Sequence, residues 1–429
     1  MPLADPRATL AHLYEVAVEA ASPGPALRAA LAGLPRPAAA PAILALGKAA
    51  GPMARTAAEF LREWSLEPTL GVIVVPEWEP APHPALAVVV GDHPVPGRRS
   101  FAAADAVASV VERARTGEET WVLLSGGATS LIAAPELPGG EADVIRLFEL
   151  LLGSGLDIHE MNLVRKRFTR WGGGKLARAL APSRVHAFLV SDVIGDRLES
   201  IASGPCVPDP SFAADVRELL TRAGLLDRLP ERLLEHLARV ERGEALETPK
   251  PALVSVFSGV EHRVIASNRL AVAAAAEAAR KAGFDVTVID APLEGEAAEA
   301  GRALARRLVD APVGTCVVQG GETTVTLGDA PGLGGRNPEL ALAAAEVLAG
   351  GGGAWLMSAG TDGRDGPTDA AGAIVGPDTW NAIARAGLDP ARALATHDAY
   401  PALEAGGALL RVGHTGTNVM DLVAGIRPG

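Results

Sequence analysis

Short apolar runs that alternate with longer amphipathic stretches constrain this chain more than any other feature. The apolar runs predict strands at residues 42–46, 70–75, 86–90, 121–125, 185–191, 286–289, 315–319 and 354–359. The amphipathic stretches predict helices that include residues 48–64, 100–115, 142–152, 269–282, 295–309 and 338–348. Because the apolar runs do not alternate in polarity, we expect a buried, mostly parallel sheet with helices on both faces. The predicted fold class is therefore α/β.

A polar, charge-rich stretch at residues 241–251 is the best candidate for a linker. It predicts two domains, 1–243 and 252–429, and two domains suit a chain of this length. No internal repeat of fixed period is visible in the sequence.

Charge, hydropathy and cysteine content exclude several classes of protein. The chain has 39 Lys and Arg against 51 Asp and Glu, a formal net charge of −12, which argues against nucleic acid as the main partner. Mean hydropathy is +0.21, but the longest uncharged run, residues 120–135, is shorter than the ~20 apolar residues of a membrane-spanning helix. Two distant cysteines and an N-terminus without an apolar secretory core favour a cytoplasmic protein.

Two glycine turns follow predicted strands in the first half of the chain. In the first turn, Lys48 stands at a strand-to-helix junction, where a cation is unfavourable unless an anion neutralises it. A solvated surface lysine is the alternative. The second turn combines hydroxyl groups with free backbone N–H groups, which suits an anion as well as it suits a structural tight turn. Its candidate residues are Ser125, Gly126, Gly127, Thr129 and Ser130.

Neither turn has the spacing of a standard nucleotide motif. Lys48 lacks the earlier glycine and the following hydroxyl residue of a phosphate-binding P-loop, and Lys175 is followed by a leucine. No G-x-G-x-x-G opens a helix after a strand, so the usual dinucleotide fingerprint is missing as well.

A basic helix is predicted after Asp157, which has Glu160 three residues further on, as in a capping box. Asn162 lies three and four residues before Arg165 and Lys166, so these side chains share one helix face and can converge on an anion. A solvated basic helix is equally compatible with this pattern. Lys175 follows in a glycine-rich stretch and is a further candidate.

Asp192 follows the strand predicted at 185–191, and a hydroxyl-glycine turn with Ser203 comes soon after it. A carboxylate at the carboxyl end of a buried strand is well placed to bind Mg²⁺, which prefers carboxylate and water oxygens. A turn-forming role is the alternative for Asp192.

Polar, glycine-rich motifs are denser in the second half of the chain. Asn337 is a suitable N-cap and Pro338 suits the first helical position, so free N–H groups and Arg336 are expected to point at the same place. A later loop holds three aspartates, of which Asp362 is our candidate, but it lacks the spacing of an EF-hand. A calcium-binding or turn-only loop is the alternative. The further candidates here are Glu322, Gly334, Gly335 and Asn337.

In combination these motifs resemble one family, the two-domain glycerate 2-kinases whose C-terminal half is the MOFRL domain. The resemblance is carried, in order, by LGKAA, LLSGG, MNLVRK with WGGGKLA, SDVIGD with ASGP, GGETTVT, GGRNPELAL and SAGTDGRDGPTDAAGA. It runs from about residue 46 to the C-terminus. The chain departs from it at Ala128 and Thr129, where the family more often has a glycine and a serine.

The resemblance implies ATP-dependent, Mg²⁺-assisted phosphorylation of D-glycerate to 2-phosphoglycerate. It also implies a cleft between a Rossmann-like N-terminal domain and a smaller α/β C-terminal domain as the active site. Matched by motif, Lys48 and Arg336 are implied to be catalytic and to stabilise the transferring phosphoryl group. We expect Asp192 to bind Mg²⁺ or to accept the C2 hydroxyl proton, and Arg165 and Lys166 to bind the glycerate carboxylate.

Which loop holds ATP and which holds D-glycerate stays open at this stage, as does a homodimer. No nucleic acid or membrane partner is expected. Two other functions compete with the kinase. Some relatives carry the name hydroxypyruvate reductase, an activity that needs a nicotinamide site for which the fingerprint is missing. A non-catalytic phosphosugar-binding protein could use the same hydroxyl-glycine loops.

Overall fold

The strands of the protein form two separate sheets. The structure, a computed structural model, describes residues 5–429 except 116, 118, 329 and 330. Within these residues the strands are β1 (Ala42–Leu46), β2 (Gly71–Val75), β3 (Leu86–Val90), β4 (Glu119–Leu124), β5 (Arg184–Val190), β6 (Val260–Ala266), β7 (Asp285–Val288), β8 (Thr315–Gly321), β9 (Trp355–Gly360), β10 (Gly372–Val375), β11 (Leu409–Leu410) and β12 (Asp421–Arg427).

Helices connect most of these strands. In chain order they are α1 (Pro6–Ala20), α2 (Pro23–Ala32), α3 (Ala50–Glu63), α4 (Arg98–Ala114), α5 (Ala128–Leu131), α6 (Glu141–Leu152), α7 (Ile158–Phe168), α8 (Lys175–Leu180), α9 (Ala213–Arg222), α10 (Glu231–Glu241), α11 (Val254–Phe257), α12 (Asn268–Lys281), α13 (Ala297–Asp310), α14 (Arg336–Leu348), α15 (Thr379–Arg385), α16 (Pro390–Ala395) and α17 (Ala399–Ala405). Over the described ranges, no helix is long and apolar enough to cross a membrane.

The unit Pro23–Ile265 is built on a sheet of strand order β3-β2-β1-β4-β5-β6. The strands from β3 to β5 pair in parallel, as predicted. Every residue of β1 and β2 is buried because α3 and α4 pack against them, so the apolar runs need no polar face. A second apolar cluster joins α6, α7, α9 and α10. Parallel strands bring their carboxyl ends to one edge of the sheet, and the candidate loops of this unit begin there.

The second unit combines Met1–Ser22 with Ala266–Gly429. Its sheet has the order β11-β10-β9-β12-β8-β7, and β12 lies antiparallel between β8 and β9. Only β7 and β8 pair in parallel among the strand pairs described. The apolar face of α1, formed by Leu10, Leu13 and Ala17, is buried in this unit against α12. The expected α/β class therefore holds for both units, although the second sheet is mixed.

The division into units differs from the predicted domains 1–243 and 252–429. The first 22 residues belong with the C-terminal unit, and the boundary falls at Ile265 rather than within 241–251. The predicted linker is part of the first unit because its polar groups are bound there. Thr248 donates to Asp209 at 2.8 Å, and Glu247 forms an ion pair with Arg167. Residues 247–250 of this stretch are therefore buried or half-buried, although the sequence suggests a solvated segment.

Candidate functional site

The carboxyl ends of β1 and β4 are joined by hydrogen bonds between their glycine turns. The backbone N–H of Lys48 donates to the Gly126 carbonyl at 2.9 Å, and the Ala49 N–H donates to Ser125 Oγ at 2.9 Å. Gly47 has φ +121°, and a Cβ there would lie 2.3 Å from Ser125 Oγ. Only glycine allows this close approach. The Lys48 side chain is exposed at this edge of the sheet.

Asp192 lies directly beside the second of these turns. It follows β5, and a Cβ placed on Gly126 would be 2.0 Å from its Oδ2 atom. Burial raises the pKa of the Asp192 carboxyl, while the Lys48 charge acts in the opposite direction. The structure therefore brings Lys48, the Gly126–Gly127 turn and Asp192 together.

His93 joins this group, although the sequence interpretation assigned it no role. Gly127 has φ +83°, and a Cβ there would lie 3.2 Å from His93 Cδ2 and 3.4 Å from Lys48 Cγ. Burial, then the charges of Lys48 and Arg165, lower the pKa of His93. A signal was available in the sequence, because His93 follows the predicted strand 86–90 and so belongs to the same edge.

A chain of polar side chains connects α5, α7 and the turn after β5. Thr129 Oγ1 lies 3.0 Å from Ser203 Oγ, and Ser203 Oγ donates to Asn162 Oδ1 at 3.2 Å. Asn162 Nδ2 donates to the Ser200 carbonyl at 3.0 Å. Ala202 and Ser203 have φ +52° and +60°, a strained conformation for residues that carry a Cβ and one that is common at functional sites. Ser130, by contrast, caps its own turn by donating to Gly127 O at 3.1 Å.

The candidate cations of the basic region have different surroundings. Lys166 Nζ lies 2.8 Å from Asp209 Oδ1, and Lys175 Nζ lies 2.6 Å from Glu136 Oε2. Both ammonium groups are thus neutralised inside the protein. Arg165 is 7% exposed, yet its guanidinium forms no ion pair with a described carboxylate. Lys166 and Lys175 therefore fill structural positions, whereas no carboxylate of the described residues compensates the charge of Arg165.

The setting of Arg165 is apolar. Its guanidinium lies over the Phe148 ring at 4.7 Å, and Nη2 donates weakly to Met161 Sδ at 3.7 Å. Nε has no hydrogen-bond partner among the described residues. Burial lowers the pKa of Arg165 to about 10, so the group remains a cation at neutral pH.

In the second unit, Arg336 stands at the start of α14 and is paired with acidic side chains of the same unit. Its Nε and Nη2 donate to the two carboxylate oxygens of Asp421 at 2.7 and 3.2 Å, and Nη1 pairs with Glu322. Asp421 and Glu322 therefore supply the negative charge that offsets a cation at this helix start. Asp421 is a functional candidate that the sequence interpretation missed.

Asn337 and Asp365 form a second polar group at the start of α14. The Asn337 N–H donates to Asp365 Oδ2, and Asn337 Oδ1 accepts from Ser358 Oγ at 2.6 Å. Burial, then the Asp421 charge, raise the pKa of Asp365 to about 6. Asn337 Nδ2 is buried without a hydrogen-bond partner among the described residues. The prediction that Asn337 is the N-cap is wrong, because α14 begins at Arg336 and Gly335 is its N-cap residue. A Cβ on Gly335 would lie 2.8 Å from the Asp365 carboxyl carbon.

The two remaining candidates of this unit have structural contacts. A Cβ placed on Gly334 would lie 2.9 Å from the His397 carbonyl oxygen. Asp362 Oδ1 accepts a hydrogen bond from the Arg364 N–H at 3.0 Å. Within the described ranges, no group of three or more His, Cys, Asp or Glu side chains could hold a metal ion by itself.

The chain is similar to known proteins over most of its length. Two family models match the chain, the domain of unknown function DUF4147 over residues 9–238 and the MOFRL family over 315–421. The D-glycerate 2-kinase of Thermotoga maritima is 38% identical over 90% of each chain, and the glycerate 2-kinase of Pyrococcus horikoshii is 37% identical over 90% of this chain and 86% of its own. A protein of Agrobacterium vitis that carries the provisional name hydroxypyruvate reductase is 36% identical over 97% of this chain and 94% of its own.

Two solved structures match this chain over almost its whole length. The crystal structure of the Thermotoga maritima glycerate kinase matches with a TM-score of 0.86 and 35% identity, covering 98% of this chain and 99% of that one. A second structure, of a Pyrococcus horikoshii protein, matches with a TM-score of 0.82 and 33% identity over the full length of both chains. The chain therefore belongs to the two-domain glycerate kinase family, in which a DUF4147 region precedes a MOFRL region.

Proposed function

We propose that this protein transfers the γ-phosphate of ATP to the C2 hydroxyl of D-glycerate in a Mg²⁺-dependent reaction that gives 2-phosphoglycerate. The observation that carries this proposal is the convergence of Lys48, the Gly126–Gly127 turn and Asp192 at one edge of the parallel sheet. The names of the glycerate kinases to which the chain is similar support the choice of substrate. The free, buried thiols of Cys206 and Cys316 support a cytoplasmic location.

Phosphoryl transfer requires positioning and neutralisation of negative charge more than covalent chemistry. In this proposal the exposed Lys48 ammonium stabilises the charge that develops on the phosphoryl oxygens, and the free N–H groups of the glycine turn add to it. Arg336, assigned by its family motif, is the second catalytic cation. The bidentate contact with Asp421 fixes the Arg336 guanidinium in one orientation. Little side-chain entropy is therefore lost when the guanidinium contacts the phosphoryl group.

Asp192 has two candidate roles in this reaction. Mg²⁺ in nucleotide sites is commonly held by one or two carboxylates together with phosphate and water oxygens, and Asp192 is a carboxylate beside the anion-binding turn. When bound, the metal supplies neutralisation of phosphate charge. Alternatively, Asp192 accepts the proton of the C2 hydroxyl, and its raised pKa makes it a stronger base than an ordinary aspartate.

A coupled assay of ADP formation with ATP, Mg²⁺ and D-glycerate tests the proposal, and phosphorus NMR identifies the phosphorylated carbon. Asp192→Asn should retain the melting profile of the wild type and lose most of the activity or require more Mg²⁺. NAD(P)H-dependent reduction of hydroxypyruvate without ADP formation would replace the kinase with the reductase whose name some relatives carry.

A further inference from the structure

The buried cations of α7 and α8 differ in one respect that points to a ligand. Lys166, Arg167 and Lys175 are each paired with a carboxylate of the first unit. Arg165 is equally buried, but none of the described residues offers it a carboxylate. An unpaired buried charge is costly, and a protein that keeps one normally supplies its counter-charge in another way. An anionic ligand is the counter-charge that this position lacks.

The hydrogen-bond chain next to Arg165 has a direction that the chemistry of its members determines. Asn162 Nδ2 donates to the Ser200 carbonyl, so Asn162 Oδ1 can only accept, and it accepts from Ser203. Ser203 has a single hydroxyl proton and has given it to Asn162. In the 3.0 Å contact with Thr129, Ser203 must therefore accept and Thr129 must donate.

This direction leaves Thr129 Oγ1 with free lone pairs and no proton to offer. Thr129 is only half-buried, so a ligand can reach its oxygen. A ligand group that pairs with it must be a hydrogen-bond donor, such as an alcohol hydroxyl, and cannot be a phosphate or carboxylate oxygen. Asn162 lies one helical turn before Arg165 on α7, so the guanidinium and the hydroxyl chain belong to one face of that helix.

We propose that Arg165 binds the carboxylate of the acceptor substrate and that Thr129 accepts a hydrogen bond from the acceptor's non-reacting hydroxyl. The subsite thus selects short 2-hydroxy carboxylates that carry a second hydroxyl. Lys166 takes no part in it. This inference rests on the proposed kinase function for the reaction that follows binding, but the binding itself can be measured without turnover.

The experiment measures binding by calorimetry for three ligands and steady-state kinetics in parallel. D-glycerate has both recognised groups, D-lactate lacks the second hydroxyl, and glycerol lacks the carboxylate. Arg165→Gln should weaken binding of D-glycerate and D-lactate by the same factor, about 10–100-fold, since each loses a charge-assisted contact. Arg165→Lys should recover part of the loss. Arg146→Gln, an exposed arginine on the neighbouring helix α6, is the matched control and should change nothing.

The role of Thr129 is tested by the ratio of the dissociation constants of D-lactate and D-glycerate. The wild type should bind D-glycerate about 2–10-fold more tightly than D-lactate, and Thr129→Val should bring this ratio to about one. Thr129→Ser retains the hydroxyl and should keep the preference. These changes should raise KM for D-glycerate and leave KM for ATP within about twofold.

Several outcomes would overturn the inference. If Arg165→Gln weakens binding of an ATP analogue instead of D-glycerate, the guanidinium contacts a phosphate. Equal binding of both acids by the wild type, or an unchanged ratio in Thr129→Val, removes Thr129 from the subsite. If the wild type forms no ADP but binds D-glycerate in a manner sensitive to Arg165, the proposed function fails and the subsite stands.

Discussion

At the scale of single residues, α7 carries two cations that pair with carboxylates and, next to them, Arg165, which has no carboxylate partner among the described residues. Lys166 and Arg167 both contact the buried Asp209, and Arg167 also pairs with Glu247. The Arg165 guanidinium contacts the Phe148 ring and Met161 Sδ and pairs with no carboxylate of the described residues. Three consecutive basic residues therefore differ in whether a carboxylate neutralises them. The local sequence cannot reveal this difference, because the carboxylates that pair with Lys166 and Arg167 lie about 40 to 80 positions away.

This difference predicts opposite effects of the same substitution on stability. Arg165→Met removes an unpaired buried charge and should raise the free energy of unfolding. Lys166→Met leaves the buried Asp209 carboxylate without its ammonium partner and should lower the free energy of unfolding by about 3–5 kcal/mol. Urea denaturation of the two variants measures both values. If Arg165→Met were as destabilising as Lys166→Met, Arg165 would have a structural partner. Millimolar D-glycerate should stabilise the wild type and not Arg165→Met.

Lys48 is expected to act on charge that develops during the reaction. Lys48→Ala should therefore lower kcat by a factor on the order of 10²–10⁴ and change KM much less. Lys281→Ala, at an exposed lysine of α12 that pairs with Glu277, is the control and should have wild-type kinetics. A kcat close to that of the wild type in Lys48→Ala would make Lys48 an ordinary surface lysine.

The pKa of Asp365 is raised from 3.8 to about 6. We therefore expect the stability of the protein to depend on pH, with a sign that follows from this shift. Between these values the folded protein retains a proton that the unfolded chain has released, so the free energy of unfolding falls as the pH rises. The ionised carboxylate costs about 3 kcal/mol above pH 6. Asp365→Asn still accepts from the Asn337 N–H and should be more stable than the wild type at pH 8.

The stability gap between Asp365→Asn and the wild type should nearly close at pH 4.5, where both side chains are neutral. Urea denaturation at pH 4.5, 6 and 8 provides the comparison. A gap that stays constant over this range would mean that Asp365 titrates as an ordinary aspartate.

At the scale of elements, the buried parallel strands were predictable because their apolar runs are continuous. All eight predicted strands are present with ends shifted by at most two residues, and the capping box of α7 is confirmed, with Asp157 Oδ1 accepting from the Glu160 N–H at 2.9 Å. The strands β6, β10, β11 and β12 were missed. In β6, Glu261, His262 and Arg263 interrupt the apolar run. β11 has two residues and β10 has four, too few for a periodic signal, and β12 places a glycine at Gly425 inside its run.

The candidate site was predictable to the extent that it follows strand ends. Lys48, Gly126 and Asp192 were found in this way, and the same rule applied to β3 would have found His93. Asp421 could not be found by it, because it begins the missed strand β12. The neutralisation of Arg336 was unpredictable for the same reason.

The glycine turn after β4 gives a prediction at this scale. Gly126 does not have a positive φ, so alanine can adopt its backbone conformation, but the added Cβ would lie 2.0 Å from Asp192 Oδ2. Gly126→Ala should therefore displace the carboxylate and lower kcat, while the melting temperature stays within a few degrees of the wild type. Gly153→Ala, whose Cβ has 3.6 Å of space, is the control. An unchanged kcat in Gly126→Ala would mean that Asp192 takes no part in the reaction.

At the scale of the whole molecule, the main difference from the sequence interpretation is the division of the chain. Linker composition indicated residues 241–251, but the contacts of Asp209 and Arg167 hold that stretch in the first unit. Nothing in the local sequence of α1 indicates that it packs with residues more than two hundred positions away. Tyr14 shows the connection directly, since its hydroxyl donates to the Gly360 carbonyl at 2.8 Å.

This division predicts how fragments behave. Residues 266–429 expressed alone should unfold with low cooperativity, because the buried surface that Leu10, Leu13 and Ala17 cover is open. A permuted chain in which residues 1–22 follow residue 429 through a flexible linker should regain a sharp thermal transition. Calorimetry distinguishes the two fragments. A sharp transition in residues 266–429 alone would show that α1 is dispensable for this unit.

The packing of α1 also sets a condition on synthesis by the ribosome. This helix is synthesised before the sheet that covers its apolar face, which is complete only with β12, about 400 residues later. At translation rates of about 5–20 residues per second, the nascent helix waits roughly 20–80 s for its partner. The unit Pro23–Ile265 can fold during that interval. Until β12 has been synthesised, the uncovered apolar face of α1 is open to chaperones and to misassembly.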